Sequence, residues 1–235
     1  MITPRAMDVL TADRLATCID HAVLAPDHTV ADVGQACADA VAYRFAAVTV
    51  PPYDIARAAQ HLAGTGVAAG GTIGLPLGHS GLKAKQTEAE TCVRAGADEV
   101  EMVINLAAMK SGKFGDVRDE IAAVRSVADG LVLKVILECC WLTDDETVRA
   151  CWLAMEGGAD FVETSTDFGA GGATVRDVAL VRRTVGDGAG VKAAGGICTF
   201  EQVREMLDAG AARVGTGDGV AIVQDCRQHL QSRVN

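Results

Sequence analysis

The chain contains few aromatic residues and few prolines. Phe, Trp and Tyr make up 4% of its 235 residues, and only 5 residues are proline. The hydrophobic residues nevertheless reach 49% and the charged ones 22%, so the core must be built mostly from aliphatic side chains. This balance excludes a disordered or low-complexity protein and suits one large globular domain or two small ones.

Positive charge is also scarce. Lys and Arg number 21 against 31 Asp and Glu, which gives a formal net charge of −10. An acidic surface of this kind repels a phosphate backbone, so we expect no nucleic-acid partner. The sequence contains no apolar run long enough to cross a bilayer, and residues 1–8 lack the basic-then-apolar order of a signal peptide. We therefore expect a cytoplasmic protein with no membrane partner.

The cysteines do not form a recognisable metal or disulfide framework. None is part of a C-x-x-C pair, and no histidine stands at metal-ligand spacing around them. Most lie in apolar stretches, where a free thiol acts as a small buried hydrophobic group. We expect reduced thiols, no metal site and no cofactor. The eight residues are Cys18, Cys37, Cys92, Cys139, Cys140, Cys151, Cys198 and Cys226.

Short runs rich in Val and Ile alternate with longer segments of helical periodicity. Eight such units of roughly 30 residues predict an α/β fold, a single (β/α)8 TIM barrel spanning 1–235, with residues 1–15 preceding the first strand. An open doubly wound sheet is the alternative, but no G-x-G-x-x-G follows the first strand. The predicted strands are 16–24, 46–50, 67–73, 99–105, 131–138, 161–165, 190–195 and 213–216. The predicted helices are 30–42, 80–95, 114–128, 144–155, 173–185 and 200–209, with Asp116, Thr143, Thr174 and Thr199 as N-caps.

Four consecutive strands carry an ionisable residue inside an apolar run. In a closed barrel these side chains form an inner ring of alternating charge near the C-terminal end, where the active sites of such barrels lie. Burying four charges without a use for them is costly, so we interpret the ring as a polar active site. The alternative is that some of them face the outer helices and reach solvent. The four are Glu101, Lys134, Glu163 and Lys192.

Several sequence blocks, in order along nearly the whole chain, resemble the deoxyribose-phosphate aldolase family. They include Val-Glu-Met-Val-Ile-Asn at 100–105, Leu-Lys-Val-Ile-Leu-Glu at 133–138, Thr-Ser-Thr at 164–166 and Ala-Gly-Gly-Ile at 194–197. The resemblance implies a TIM barrel and a class I aldolase, which acts through a lysine Schiff base and needs no metal. It also implies that substrate binds at Asp20, Thr49, Asn105, Asp167, Gly195, Gly196, Gly217 and Asp218.

The sequence departs from the family pattern at the residues that matter most. Glu163 stands where the family has its Schiff-base lysine, and a carboxylate cannot form an imine. Glu101 stands where the family has Asp, and Asp167 where it has Gly. Asp218 adds a second carboxylate beside the loops that bind phosphate in the family, although both aspartates could equally cap the next helices. These changes predict a pocket that disfavours phosphate.

Three hypotheses about function remain open. The first is a diverged carbon–carbon lyase that performs aldol or enolisation chemistry on a carbonyl substrate without phosphate. Glu163 or Glu101 would be the general base and Lys134 and Lys192 would stabilise the enolate. In that hypothesis Glu163 lies ionised between the two lysines. The second is ordinary deoxyribose-phosphate aldolase activity with Lys134 or Lys192 as substitute nucleophile. The third is a catalytically silent relative with a binding or assembly role. The candidate assembly is a homodimer.

Overall fold

The computed structural model describes residues 10–232, and the N-terminal residues 1–9 and C-terminal residues 233–235 lie outside it. Eight parallel strands form a closed barrel in sequence order, with the last strand paired to the first. The prediction of a TIM barrel is therefore confirmed. The strands are β1 (Ile19–Ala22), β2 (Ala47–Val50), β3 (Ala68–Ile73), β4 (Glu99–Val103), β5 (Val132–Ile136), β6 (Phe161–Glu163), β7 (Gly190–Ala194) and β8 (Arg213–Thr216).

Helices surround the barrel, and a short 3-10 segment, Cys139–Trp141, follows β5. No helix within residues 10–232 is long and apolar enough to cross a membrane. The helices are α1 (Ala12–Ala16), α2 (Val30–Tyr43), α3 (Ile55–Leu62), α4 (Leu82–Arg94), α5 (Leu106–Lys110), α6 (Phe114–Val127), α7 (Asp144–Glu156), α8 (Val175–Val185), α9 (Phe200–Asp208) and α10 (Gly219–Ser232).

Alternation along the strands separates an apolar layer from a charged one. Every strand contributes a fully buried aliphatic residue to the hydrophobic core between barrel and helices. On β4 to β7 the next residue along the strand is one of the four charged residues, and successive side chains of a strand point to opposite faces. The charged residues therefore point into the barrel. The core residues are Ile19, Val48, Ile73, Val100, Leu133, Val162, Val191 and Val214.

Three details of the sequence prediction are wrong. The predicted first strand, 16–24, is too long, because Thr11 caps α1 through the backbone N–H of Arg14 and α1 extends to Ala16. Helices α1, α3, α5 and α10 were not predicted, the shorter ones having too few turns to show a period. Asp116 is not an N-cap, since α6 begins at Phe114 and Asp116 lies inside its first turn. The other three caps are confirmed: the side chains of Thr143, Thr174 and Thr199 accept backbone N–H groups of α7, α8 and α9.

Candidate active site

A cavity of about 370 Å³ opens at the C-terminal ends of the strands. Its floor is polar and its walls come from the loops that follow β1, β3, β6, β7 and β8. Three of the four charged residues line it, whereas Lys134 does not. The polar side chains that line it are Thr49, Glu101, Glu163, Ser165, Thr166, Asp167, Lys192 and Thr216.

The strand register explains the different depths of the two lysines. Glu101 pairs with Lys134 across β4 and β5, and Glu163 pairs with Lys192 across β6 and β7. Between β5 and β6, however, the partner of Glu163 is Ile136, two residues beyond Lys134. This stagger of neighbouring strands is inherent in a closed barrel. Lys134 therefore lies one layer deeper than Glu163 and Lys192.

Lys134 is fully buried within a cluster of carboxylates. Its Nζ lies 2.6 Å from Asp20 Oδ2, 2.6 Å from Glu99 Oε2 and 2.9 Å from Glu101 Oε1. Arg213 closes the cluster from below, with Nε donating to Asp20 at 2.6 Å and Nη2 to Glu99 at 3.1 Å. Burial alone would lower the pKa of Lys134, but Asp20 and Glu101 outweigh it and raise that pKa above its ordinary value. Lys134 is thus held as an ammonium ion.

Lys192 forms the cationic part of the cavity floor. Its Nζ lies 2.6 Å from Glu101 Oε1, 3.1 Å from Glu163 Oε1 and 3.4 Å from Asp20 Oδ2. Thr49 donates its hydroxyl to the same Glu101 oxygen at 3.2 Å. Burial opposes the charge of Lys192, yet the facing carboxylates, Glu101 first, raise its pKa well above the ordinary value. This lysine is also an ammonium ion.

No cation of the cluster is available to neutralise an ionised Glu163. Three cations and three carboxylates of the cluster already balance one another, so an ionised Glu163 would be a surplus buried charge. Burial raises the pKa of Glu163 to about 8, although Lys192 acts in the opposite direction. Its Oε2 is buried without a hydrogen-bond partner in the described part of the chain. The balanced groups are Lys134, Lys192, Arg213, Asp20, Glu99 and Glu101.

Two expectations about Glu163 are therefore wrong. Glu163 does not lie between the lysines: it contacts Lys192 but has no ion pair with Lys134. It also does not have to be ionised, because Asp20 and Glu101 neutralise the lysines instead. Desolvation raises its pKa to about 8 and Glu101 acts in the same direction, against the opposing effect of Lys192, so the protonated form is favoured near pH 7.

Asp167 shapes the mouth of the cavity. Its backbone is left-handed, with φ of 71°, a conformation that favours glycine. Its Oδ1 accepts the backbone N–H of Gly196 at 2.8 Å, which ties the loop after β6 to the loop after β7. Gly195 and Gly217 also line the cavity. The Asp167 carboxylate is thus hydrogen-bonded to a backbone amide at the edge of the site.

Four expected substrate-binding residues do not line the cavity: Gly196, whose N–H is bonded to Asp167, and Asp20, Asn105 and Asp218. Asp20 is completely buried beneath the cavity, where Lys134 and Arg213 hold it. Burial raises the pKa of Asp20, but the surrounding cations lower it by more, so the pKa lies below its ordinary value. Asn105 caps α5, with its side chain accepting the Ala108 N–H at 3.0 Å. Asp218 is exposed just before α10 and does not line the cavity.

Several residues that contribute to the site were not identified from the sequence. Glu99 and Arg213 complete the ion cluster, and both could have been found as charged residues within predicted strands. Ser165 lines the cavity and is almost fully buried, yet its Oγ has no hydrogen-bond partner among the described residues. Glu138 accepts the Thr166 N–H at 3.2 Å and supports the loop after β6. The surroundings of Ser165 and Glu138 depend on loop geometry that the sequence pattern does not encode.

Comparison with known proteins agrees with this geometry. A family model described as DeoC/LacD family aldolase matches residues 14–229. A deoxyribose-phosphate aldolase of Brevibacillus brevis is 48% identical over 205 residues, covering 87% of this chain and 93% of that protein. One of Thermococcus kodakarensis is 48% identical over 214 residues, covering 89% and 96%.

Solved structures show the same likeness. The tetrameric deoxyribose phosphate aldolase of Aeropyrum pernix superposes with a TM-score of 0.88 at 29% identity, covering 94% of each chain. The structure of QR15, an aldolase, gives a TM-score of 0.88 at 33% identity, covering 92% of this chain and 98% of that one. The chain therefore belongs to the DeoC/LacD family of aldolases and is an aldolase-family lyase.

Proposed function

We propose that the protein is a diverged carbon–carbon lyase that performs aldol or enolisation chemistry on an unphosphorylated carbonyl compound without a lysine imine. The observation that carries this proposal is a buried carboxyl group, that of Glu163, with an oxygen that has no partner among the described residues. This residue stands at the position where the family resemblance implies a nucleophilic lysine, and its free Oε2 belongs to a side chain that lines the cavity. A carboxyl group in this place cannot form an imine, but it can donate or accept a proton.

The two lysines of the cluster support a mechanism without imine. A Schiff-base lysine must be partly neutral, which requires desolvation or a neighbouring cation. Here the carboxylates around Lys134 and Lys192 raise both pKa values instead. Lys134 also does not line the cavity, so a carbonyl compound bound there does not reach it directly.

The remaining groups match general acid–base catalysis. A residue works best as acid or base when its pKa lies near the operating pH, and burial places that of Glu163 at about 8. The ionised fraction of Glu163 can take the proton from the carbon next to the carbonyl group, which leaves Glu163 protonated and able to donate a hydrogen bond to the carbonyl oxygen. The Lys192 ammonium, 3.1 Å from Glu163, stabilises the negative charge that develops on the enolate. Glu101 has a lowered pKa, despite its burial, because Lys134 and Lys192 face it. It stays ionised and positions Lys192.

The mouth of the cavity supports an unphosphorylated substrate. Asp167 already occupies the Gly196 N–H with its own carboxylate oxygen. A phosphate group bound there would have to displace this contact and lie beside a like charge, which is unfavourable. The relatives' name supplies the opposite candidate, deoxyribose phosphate, and their identity of 43–48% favours ordinary aldolase activity.

Borohydride reduction with small aldehydes, read by intact mass, distinguishes these mechanisms. We expect no imine adduct in the parent and a trapped adduct in Glu163→Lys, because a lysine there would face the ammonium of Lys192 and be pushed toward its neutral form. Glu201→Lys, which adds an exposed lysine on α9, is the matched control and should trap nothing specific.

The other outcomes decide between the alternatives. A parent adduct that maps to Lys134 or Lys192 would replace the proposal with ordinary aldolase activity through a substitute lysine. Turnover of deoxyribose 5-phosphate at about 1 s⁻¹ or faster would have the same consequence. If neither protein traps an aldehyde and the parent binds no small carbonyl compound, the silent-relative hypothesis is correct.

We further propose a cytoplasmic location, one domain over the whole chain, and a homodimer. The eight cysteines are all unpaired within residues 10–232, which supports a reducing compartment. The closed barrel over the same residues supports the single domain. The relative from Aeropyrum pernix is described as tetrameric, which supports self-association of some order. Light scattering of the purified protein tests the dimer directly.

A further inference from the structure

Three side chains with oxygen atoms follow one another along a single wall of the cavity. Glu163 ends β6, and Ser165 and Asp167 are the next alternate residues, and all three line the cavity. Glu163 and Ser165 are buried, whereas Asp167 is exposed at the mouth. We propose that this wall binds the hydroxyl groups of a neutral polyhydroxy carbonyl compound, and that Ser165 forms a hydrogen bond with one of these hydroxyls. The inference rests on the proposed function and names its substrate class.

The hydroxyl of Ser165 points to a ligand because it is otherwise unexplained. Its side chain is 1% exposed, and neither its donor nor its acceptor capacity is used within residues 10–232. A buried polar group without a partner destabilises the fold, so native proteins rarely keep one. Glu163 Oε2 is a second unpartnered oxygen on the same wall. Two such atoms on side chains that line one cavity fit a ligand that carries two oxygens.

The distance between the two residues sets the length of that ligand. The strand ladder continues past β6, since the Thr164 N–H donates to the Lys192 carbonyl at 3.1 Å, and alternate residues at strand spacing lie about 6.6 Å apart. A chain of about four carbons with an oxygen near each end covers this span once the reach of both side chains is included. A carbonyl oxygen suits protonated Glu163, which donates, and a hydroxyl suits Ser165, which both donates and accepts.

Asp167 determines what the far end of the ligand can be. An ionised carboxylate only accepts hydrogen bonds, and its Oδ1 is already bonded to the Gly196 N–H. No Lys or Arg of the described residues forms an ion pair with it. The remaining acceptor capacity suits a hydroxyl and repels a phosphate. The wall therefore selects a sugar-like chain over an aldehyde without hydroxyls and over a phosphorylated sugar.

Nuclear magnetic resonance titration with three four-carbon aldehydes tests this selection. D-erythrose carries hydroxyls, butanal carries none, and D-erythrose 4-phosphate carries a terminal phosphate. We expect the parent to bind D-erythrose about tenfold more tightly than either of the others, the factor that one or two neutral hydrogen bonds supply. Binding at equilibrium requires no turnover, so its result is independent of the catalytic proposal.

Ser165→Ala gives the decisive comparison. It should weaken the binding of D-erythrose about tenfold, leave butanal unchanged, and leave the thermal unfolding midpoint equal to or above that of the parent, since an unpaired buried hydroxyl is removed. Ser126→Ala, an exposed serine on α6, is the matched control and should change neither affinity. Asp167→Asn should reduce the difference in affinity between D-erythrose and D-erythrose 4-phosphate.

The inference is overturned if Ser165→Ala binds D-erythrose as the parent does, or if the parent binds butanal equally well. A lowered unfolding midpoint with unchanged affinities would assign Ser165 a structural role instead. If the binding pattern holds while Glu163→Lys traps no aldehyde, the substrate class stands and the catalytic proposal alone fails.

Discussion

Replacing Glu163 with glutamine should make the protein more stable at alkaline pH, not less. Glutamine has the same shape and is always neutral, so it mimics the protonated carboxyl that burial enforces. The lysines do not lose a counter-ion, because Asp20 and Glu101 already neutralise them. The parent's unfolded state is stabilised when Glu163 releases its proton, and a glutamine has no such proton to release. The variant is therefore the more stable protein at pH values where the unfolded state is ionised at this position.

The size of the effect follows from the shift in pKa. Burial raises the pKa of the Glu163 carboxyl to about 8 in the folded protein, against an ordinary value of 4.5. For an acid whose folded pKa is raised, the folded state holds a proton that the unfolded state releases, so stability falls as pH rises between the two values. With each unit worth about 1.4 kcal/mol, the parent should lose about 4 kcal/mol relative to Glu163→Gln between about pH 5 and about pH 9.

Urea unfolding of both proteins across that pH range measures the difference. The free energies of unfolding should nearly coincide at about pH 5 and separate progressively above it. Exposed Glu201→Gln, as a control, should follow the parent at every pH. If the curves of the parent and Glu163→Gln run parallel, Glu163 is ionised in the fold and the acid–base proposal loses its basis. If the variant is less stable throughout, the carboxylate balances the lysines after all.

Two further predictions concern groups outside the cavity. Glu120→Gln should lower the free energy of unfolding by about 3–5 kcal/mol, because it leaves the fully buried Lys85 ammonium, 2.7 Å away, without its carboxylate. As a control, Glu90→Gln breaks an exposed contact on α4 and should lower it by about 1 kcal/mol or less. The Asp54 carboxylate and the Ala25 carbonyl both accept from the ring of His28 and raise its pKa, so the stabilisation it supplies is present below its ordinary pKa and lost as pH rises through the raised one. The stability advantage of the parent over His28→Asn should therefore decrease at alkaline pH in the same unfolding assay.

The sequence predicts the barrel well because its strands carry two independent signals. Aliphatic runs recur at regular intervals, and charged residues at alternate positions mark the inner face on β4 to β7. The predicted strand 213–216 has the same bounds as β8. The ends of β1 could not be predicted in this way, because the helix before it is built from similar apolar residues and is set by the Thr11 cap.

The charged ring was predicted correctly as a set, but its pairing was not. Sequence alternation shows that Glu101, Lys134, Glu163 and Lys192 share the inner face, but it says nothing about relative depth. The stagger between β5 and β6 decides that Lys134 pairs with Asp20 and Glu101 and lies below the cavity. Ser165 escaped notice for a related reason, since a missing hydrogen bond is visible only once every neighbour is in place.

The ion cluster below the cavity gives one physical reason for both the lysine chemistry that the family resemblance implies and the chemistry proposed here. Its charges sum to zero without residue 163, so any ionisable group at that position lies in a low-dielectric site with no free partner. Desolvation then favours the neutral form of whatever residue is present. A lysine becomes an unprotonated amine and can attack a carbonyl carbon, whereas Glu163 becomes a carboxylic acid and can donate to a carbonyl oxygen. In the mechanism that we propose, Glu163 therefore supplies a different reactive atom from the lysine that the family resemblance implies at this position.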